Sequence, residues 1–228
     1  EVEHQTLLGR LSLAWQPTDN VNVLFTAQHD KDELTGFSTS QVFVEPAIAS
    51  SGSPVLSVIK DYVIDDKTHK TNPALGEVEQ ASSDADHLTL NIEYDMGHST
   101  LTSITGWQSY QLNGTNDGDV SPIPLIYRPL NDEKFDQLSQ ELRITSAFDG
   151  DFNYIAGVYY QTTSLEFDEE QLVYPLAIIG ERDFNVDSDT AAVFGQFDYS
   201  FSDRWQATLG LRYSSEEKDG YRKLLAVD

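Results

Sequence analysis

Four times along the chain, a run of alternating apolar and polar residues enters a short turn and resumes the same beat on the other side. Leu11, Leu13 and Trp15 alternate with Arg10, Ser12 and Ala14, the chain turns through Pro17 to Asn20, and Val21, Val23, Phe25 and Ala27 follow. Leu88, Leu90, Ile92 and Tyr94 lead through Asp95 to His98 into residues 99–110. Leu138, Gln140, Leu142 and Ile144 lead through Phe148 to Asp151 into Tyr154, Ala156, Val158 and Tyr160. Val193, Gly195, Phe197, Tyr199 and Phe201 share one side of a last unit, Ser200 to Asp203 breaks it, and Trp205, Ala207, Leu209, Leu211 and Tyr213 resume it. A period of two puts alternate side chains on opposite faces of a strand, so each unit reads as an antiparallel hairpin with one apolar and one polar face.

The connections alternate as strictly as the side chains. Each hairpin closes on a tight turn, but about 55 residues (Asp30 to Ala85) part the first hairpin from the second, and about 25 part each later pair (Gln111 to Asp136, Ser164 to Asp189). Compact soluble domains seldom carry loops of that length. Short turns at one end and long loops at the other are the layout of an outer-membrane barrel. The chain has no apolar run of about 18 residues for a membrane helix, whereas a barrel strand needs only about 9–11 alternating residues. Trp15, Tyr94, Trp107, Tyr199 and Trp205 stand near strand ends, where interfacial rings sit. The expected fold class is all-β: an antiparallel transmembrane β-barrel segment of about eight strands in four hairpins, with short periplasmic turns and long extracellular loops, part of a larger barrel. Two other architectures fit the alternation. One is a complete eight-stranded outer-membrane barrel with a structural or adhesin role, and the other a soluble carbohydrate-binding β-sandwich.

Charge and motifs narrow the chemistry. With 38 acidic against 14 basic residues and a net charge of -24, the chain is the wrong sign for a nucleic-acid partner. Without cysteine there is neither a disulfide nor thiol chemistry. GxSxG, HExxH, P-loop and GxGxxG motifs are all missing, so no enzyme activity and no cofactor is expected. The five histidines (His4, His29, His69, His87, His98) lack ligand spacing, and Asp65-Asp66 and Asn116 to Asp119 do not continue into a calcium loop, so no metal site is expected either. Acidic residues concentrate at Asp30 to Glu33, Glu166 to Glu170 and Glu181 to Asp189, all assigned by the pattern to the long connections.

Several strings, in their order and spacing, resemble barrel segments of TonB-dependent outer-membrane receptors. They are LSLAWQPTDNVNVLFTAQHDKD, LTSITGWQSY, FDQLSQELRITSAFDGDFNYIAGVYY and AVFGQFDYSFSDRWQATLGLRYSSEEKD, with Ser139 to Arg143, Gly157 to Tyr160, Phe194 to Gln196 and Gly210 to Tyr213 the most family-like. The resemblance implies that residues 1–228 are part of a receptor barrel domain whose plug and remaining strands lie elsewhere. It also implies residence in the outer membrane of a Gram-negative bacterium, contact with outer-membrane lipid, and a TonB complex acting through the plug. The implied ligand is a scarce small molecule such as a ferric siderophore, imported with energy transduced by TonB.

Candidate site residues divide by face. Arg10, Glu93, Glu141, Arg143 and Arg212, with Asp198, sit on the polar side of their strands, which in a wide barrel faces the lumen. In the resembling family that lumen holds the plug, so the first five are candidate plug-facing residues, Glu141 and Arg143 foremost. Phe37, Phe43, Tyr62, Tyr127, Phe167 and Tyr174, assigned to the long loops, are candidates for stacking on a ligand.

Overall fold

The computed structural model describes residues 3–36, 80–117, 126–173 and 178–227. They form eight strands: β1 (Glu3–Thr18), β2 (Val21–Thr35), β3 (Gln80–Asp95), β4 (Ser99–Asp117), β5 (Ile126–Ser146), β6 (Phe152–Val173), β7 (Ile178–Ser202) and β8 (Trp205–Val227). All eight join one antiparallel sheet in the order β1 to β8, each strand pairing only with its neighbours in sequence. A sandwich needs two packed sheets, and a closed eight-stranded barrel needs β1 paired with β8. The described residues have one sheet, and β1 and β8 are its two edges.

The four predicted turns fall where the polar breaks place them, and side chains fix two of them. Gly97 takes a φ of 89° in the β3–β4 turn, a left-handed conformation that glycine adopts without a Cβ clash. Its N–H donates to Asp95 Oδ1 at 2.7 Å, and Met96 N–H donates to Ser99 O at 2.8 Å. In the β5–β6 turn, Asn153 Oδ1 accepts from Phe148 N–H at 2.8 Å and from Ser146 Oγ at 2.9 Å, while Ser146 Oγ accepts from Tyr154 N–H at 2.7 Å. These bonds satisfy backbone groups that the turn would otherwise leave open.

The two faces are sharply distinct near the turns. Leu138, Leu142, Val158, Tyr160, Val193 and Phe197 share the outer face by register. Val158 and Val193, flanked by strands on both sides, are still 52% and 54% exposed. An apolar band of this size belongs against lipid rather than water. Gln140 is a polar exception on that face, and its amide is internally satisfied. Its Oε1 accepts from Thr105 Oγ1 at 2.6 Å, and its Nε2 donates to Ser103 Oγ and to Glu141 O at 3.0 Å each. A polar group facing lipid without such partners would carry its full desolvation cost.

Farther from the turns the structure departs from the sequence reading. The connections assigned to loops at Gln111 to Asp136 and Ser164 to Asp189 are mostly strand, because β4 and β5 pair out to Asp117 and Tyr127, and β6 and β7 out to Val173 and Ile178. Beyond the apolar band the polarity of the faces inverts. Asp86, Asp136, Asp187 and Asp219 share an outer register row, and Asp132, Asp168 and Asp183 share another. The inner face of the same tier carries Tyr110, Phe135, Leu165 and Val186 in one row. A pattern search for one continuous apolar face loses the beat where the phase changes, which is why these stretches read as loops.

The unpaired edges yield a test. Residues 1–228 expressed alone should fail to give a monodisperse, heat-modifiable species in detergent, because β1 and β8 each leave a row of backbone donors and acceptors open in an apolar medium. A monomer with strand-rich circular dichroism and heat-shifted mobility would show that the sheet closes on itself.

Candidate functional site

The inner face of the sheet gathers the charged candidates. Glu93, Thr102, Arg143, Gly157, Phe194 and Arg212 lie on one register row spanning β3 to β8. Glu141 and Tyr159 pair in the adjacent row, followed by Ala192 and Ser214. Antiparallel pairing keeps directly opposite residues on one face, so a single register decides all of these placements.

Within these rows, small and large residues interlock. Gly157 has no side chain, and the Phe194 ring lies over it: a Cβ added at Gly157 would stand 2.4 Å from Phe194 Cζ and 2.9 Å from Leu142 O. Ala192, 8% exposed, leaves a gap between Tyr159 and Ser214. Arg212 spans it, its guanidinium carbon 5.6 Å from the Tyr159 ring centroid and 5.6 Å from that of Phe194. The guanidinium is thus held against two aromatic faces, a favourable contact for a delocalised cation. Arg212 Nε also donates to Ser214 Oγ at 3.0 Å.

The other candidates differ in how far they are satisfied. Arg143 Nη1 donates to Glu141 Oε1 at 3.4 Å, so these two charges pair with each other on the wall. Arg10 shares a row with Gln28 and has no hydrogen-bond or ion-pair partner among the described residues. Glu93 lines a shallow depression with Asn22 and Asn91, and Asn91 Oδ1 is buried there without a hydrogen-bond partner. Asp198 accepts from Thr208 Oγ1 at 2.6 Å and from Gln196 Nε2 at 3.1 Å.

Of the ligand-stacking candidates, Phe37, Phe43, Tyr62 and Tyr174 lie outside the described residues. Phe167 and Tyr127 are in strands rather than loops. Phe167 stands opposite Phe184 and Glu133 on the inner face, and Tyr127 opposite Asp117 and Leu172. The structure adds inner-face groups that the sequence did not single out. Tyr110 and Phe135 stack at 5.2 Å between centroids. Glu169, 8% exposed, receives Arg182 Nη1 at 2.8 Å and lies 3.4 Å from Arg128 Nε, tying β5, β6 and β7 together. Two arginines offset the desolvation of one buried carboxylate, an arrangement that depends on all three partners. Only register brings these residues together, so no local string announces them. Among the described residues no group of His, Cys, Asp or Glu is arranged to hold a metal ion.

A two-faced wall of this kind suits a wide barrel, and comparison with known proteins supports that reading. The family model for the TonB-dependent receptor-like β-barrel matches residues 52–226. The chain belongs to this family. No curated protein sequence matches it significantly. Among solved structures, it resembles the ferric yersiniabactin uptake receptor FyuA of Yersinia pestis (TM-score 0.66, 15% identity, 98% of this chain and 34% of that one). It also resembles BauA, the ferric preacinetobactin receptor of Acinetobacter baumannii (TM-score 0.59, 13% identity, 99% of this chain and 36% of that one). A third is the ferric citrate transporter FecA in its unliganded form (TM-score 0.55, 11% identity, 99% of this chain and 33% of that one). The chain therefore spans about a third of the length of these receptors, and at such identities the likeness establishes the fold. It is a TonB-dependent receptor barrel segment, whose described strands form a sheet open at both edges.

Two measurements check the wall. Gly157→Ala should destabilise the full-length receptor by about 1–3 kcal/mol in urea unfolding, because the new methyl overpacks against Phe194. Adding Phe194→Leu should recover only part of the loss, since Leu142 O also crowds that position and cannot swing away. Full recovery, or no loss at all, would contradict the packing described. The second concerns Tyr110, which lies beyond the apolar band. Its hydroxyl donates to Glu133 Oε1 at 2.5 Å, and that bond, aided by burial, pushes the phenol up to about 12. A folded-state value above the unfolded one contributes stability that is fully present below pH about 10 and lost as pH rises through about 12. Alkaline spectrophotometric titration should show a tyrosine ionising near the top of that window, and Tyr110→Phe should remove it.

Proposed function

We propose that this chain is part of the wall of an outer-membrane receptor that captures a scarce extracellular ligand and imports it into the periplasm with energy transduced by TonB. The observation that carries the reading is the inner face near the turns: a polar and charged surface crossing the strands, backed by an apolar band, in a sheet whose described residues end at two open edges. A lumen this polar in a wide barrel either conducts water or is filled, and the family's barrels enclose a plug. The tight turns then face the periplasm and the projecting strand ends face the medium.

Within this reading the ligand is a small molecule such as a ferric chelate, the class taken up by the receptors of similar fold. Its path runs past Phe167 and the Tyr110–Phe135 stack. Arg10, Glu93, Glu141, Arg143 and Arg212 line the plug interface. The partners are outer-membrane lipid, the plug, and through the plug the TonB complex of a Gram-negative cell. No bond is made or broken, so the protein works as a transporter rather than an enzyme.

Deleting TonB in cells that carry the full-length receptor should abolish uptake of a radiolabelled ligand while leaving its binding to the cell surface. Binding uses the outer wall and loops, whereas only translocation uses the energy. Cysteines introduced at Thr115 should react with an impermeant reagent on intact cells, and those at Thr18 or Asp149 should not. Uptake undiminished without TonB, or labelling in the reverse pattern, would replace the transporter with a passive barrel or invert its orientation.

A further inference from the structure

The ion pairs that cross between strands divide by type along the sheet. Among the described residues, every one joining β1, β2 and β3 is a histidine–aspartate pair. His4 Nε2 lies 3.2 Å from Asp32 Oδ1, and His87 Nε2 lies 3.8 Å from Asp30 Oδ2. His29 Nδ1 lies 2.9 Å from Asp86 Oδ1, and its Nε2 lies 3.6 Å from Asp84 Oδ1. Every one joining β5 to β8 uses arginine or lysine instead, at Arg128–Glu169, Arg182–Glu169 and Lys223–Asp183. Arginine and lysine keep their charge through the physiological range, whereas an unperturbed imidazole changes charge between about pH 5 and 8. One flank of the wall is tied by fixed charges and the other by charges that depend on pH.

The three histidines lie toward the strand ends remote from the tight turns, His29 in the outer row next to Ala27 and Leu88. Beside His29 stand Leu7 and Gly9 of β1, Asp84 and Asp86 of β3, and Lys31 of its own strand, which pairs with Glu33 at 2.8 Å. His87 faces Gln28 and Asp30 of β2 and Gln108 and Tyr110 of β4, with Arg10 one strand farther along its row. His4 faces Leu34 and Asp32 of β2, and Thr6 Oγ1 also donates to Asp32 Oδ1 at 2.6 Å. With Lys31 taken by Glu33, the ion-pair partners of Asp30, Asp32, Asp84 and Asp86 are these three rings: the group carries −4 when the rings are neutral and −1 when all are protonated. His29 shows which state the geometry suits. Both of its nitrogens face a carboxylate, and only the imidazolium has a proton on each; a neutral ring turns a lone pair toward one of the two. The bond to Asp86 outweighs desolvation and, with Asp84 and Asp30 adding their field, holds the His29 imidazole above its ordinary value. Stability from such a group is fully present below the ordinary value of about 6.5 and is lost as pH rises through the raised folded-state value.

We propose that the ends of β1 to β3 remote from the tight turns form a proton-dependent clamp, closed by protonated His4, His29 and His87 in mildly acidic medium and loosened as the rings lose their charge. The strands it ties include β2 and β3, between which the longest connection of the chain runs. The clamp belongs to the sheet itself and holds whatever the barrel transports.

Hydrogen–deuterium exchange on the full-length receptor in detergent tests it, with rates at about pH 5.5 and pH 8 each divided by those of unstructured peptide at the same pH. Protection of residues 28–34 and 81–87 should fall about three- to tenfold at the higher pH, the size expected when a few exposed ion pairs are lost together. The matching stretches of β6 and β7, tied by arginine, should change little. His4→Gln, His29→Gln and His87→Gln combined should give the lower protection at both pH values, because glutamine does not ionise. His4→Lys, His29→Lys and His87→Lys combined should give the higher protection at both, because the charge stays. Equal protection of the unaltered receptor at the two pH values overturns the proposal. So does a fall of the same size in β6 and β7, or a fall that persists in either variant. Should the glutamine variant not fold, the unaltered receptor and the lysine variant decide between them.

Discussion

Every other feature of this chain depends on one constraint: in lipid, a backbone N–H or C=O has no water to turn to. The hydrogen bond must come from a neighbouring strand, and the simplest way to guarantee one is to pair each strand with the next in sequence. That is the order observed, β1 through β8 without a crossover. Continuous pairing then fixes register, and register fixes which face each side chain occupies. The lumen cluster is a consequence of that ladder. Gly157 meets Phe194 and Phe194 meets Arg212 because three strands are hydrogen-bonded in one register, although the residues are scattered over 56 positions of sequence.

The medium on each side of the wall then decides composition tier by tier. Near the turns the outer face meets hydrocarbon and is apolar, as at Val158 and Val193. Farther out it meets water and carries rows of aspartate, while apolar rings move to the inside. The net charge of -24 is therefore distributed unevenly, and much of it points away from the lumen. Acidic groups placed outward stay hydrated and keep their mutual repulsion screened by salt. Inside, Arg128 and Arg182 flank the single carboxylate of Glu169. Overall acidity accordingly says little about the charge of what enters: the surface that a ligand would meet is closer to balanced than the composition implies.

The limits of the sequence follow from the same physics. The hairpins around Asp95 to His98 and Phe148 to Asp151 were legible because each combines a period-2 signal with turn residues over a short span. The outer halves of β4 to β7 were not, since alternation persists there but in the opposite phase, so Phe167 and Tyr127 read as loop residues. Faces were legible: Arg10, Glu93, Glu141, Arg143 and Arg212 all occupy the side that alternation assigned them. Contacts were not. Whether Arg143 meets Glu141, or Arg212 meets Tyr159, depends on register between strands and on a small residue opposite a large one. A single strand's pattern contains neither piece of information.

Several polar groups on the inner wall are satisfied by the wall itself. Ser188 Oγ donates to Glu216, Thr208 Oγ1 to Asp198, Arg143 to Glu141, and Arg182 to Glu169. A surface with unsatisfied charges would bind whatever fills it strongly, and each contact would have to be broken before that body could move. A surface that pairs its own charges presents hydrated dipoles instead, over which a plug can shift without stranding many groups in a medium of low dielectric. In the proposed receptor, a wall that pairs its own charges keeps the resistance to movement low along the interface.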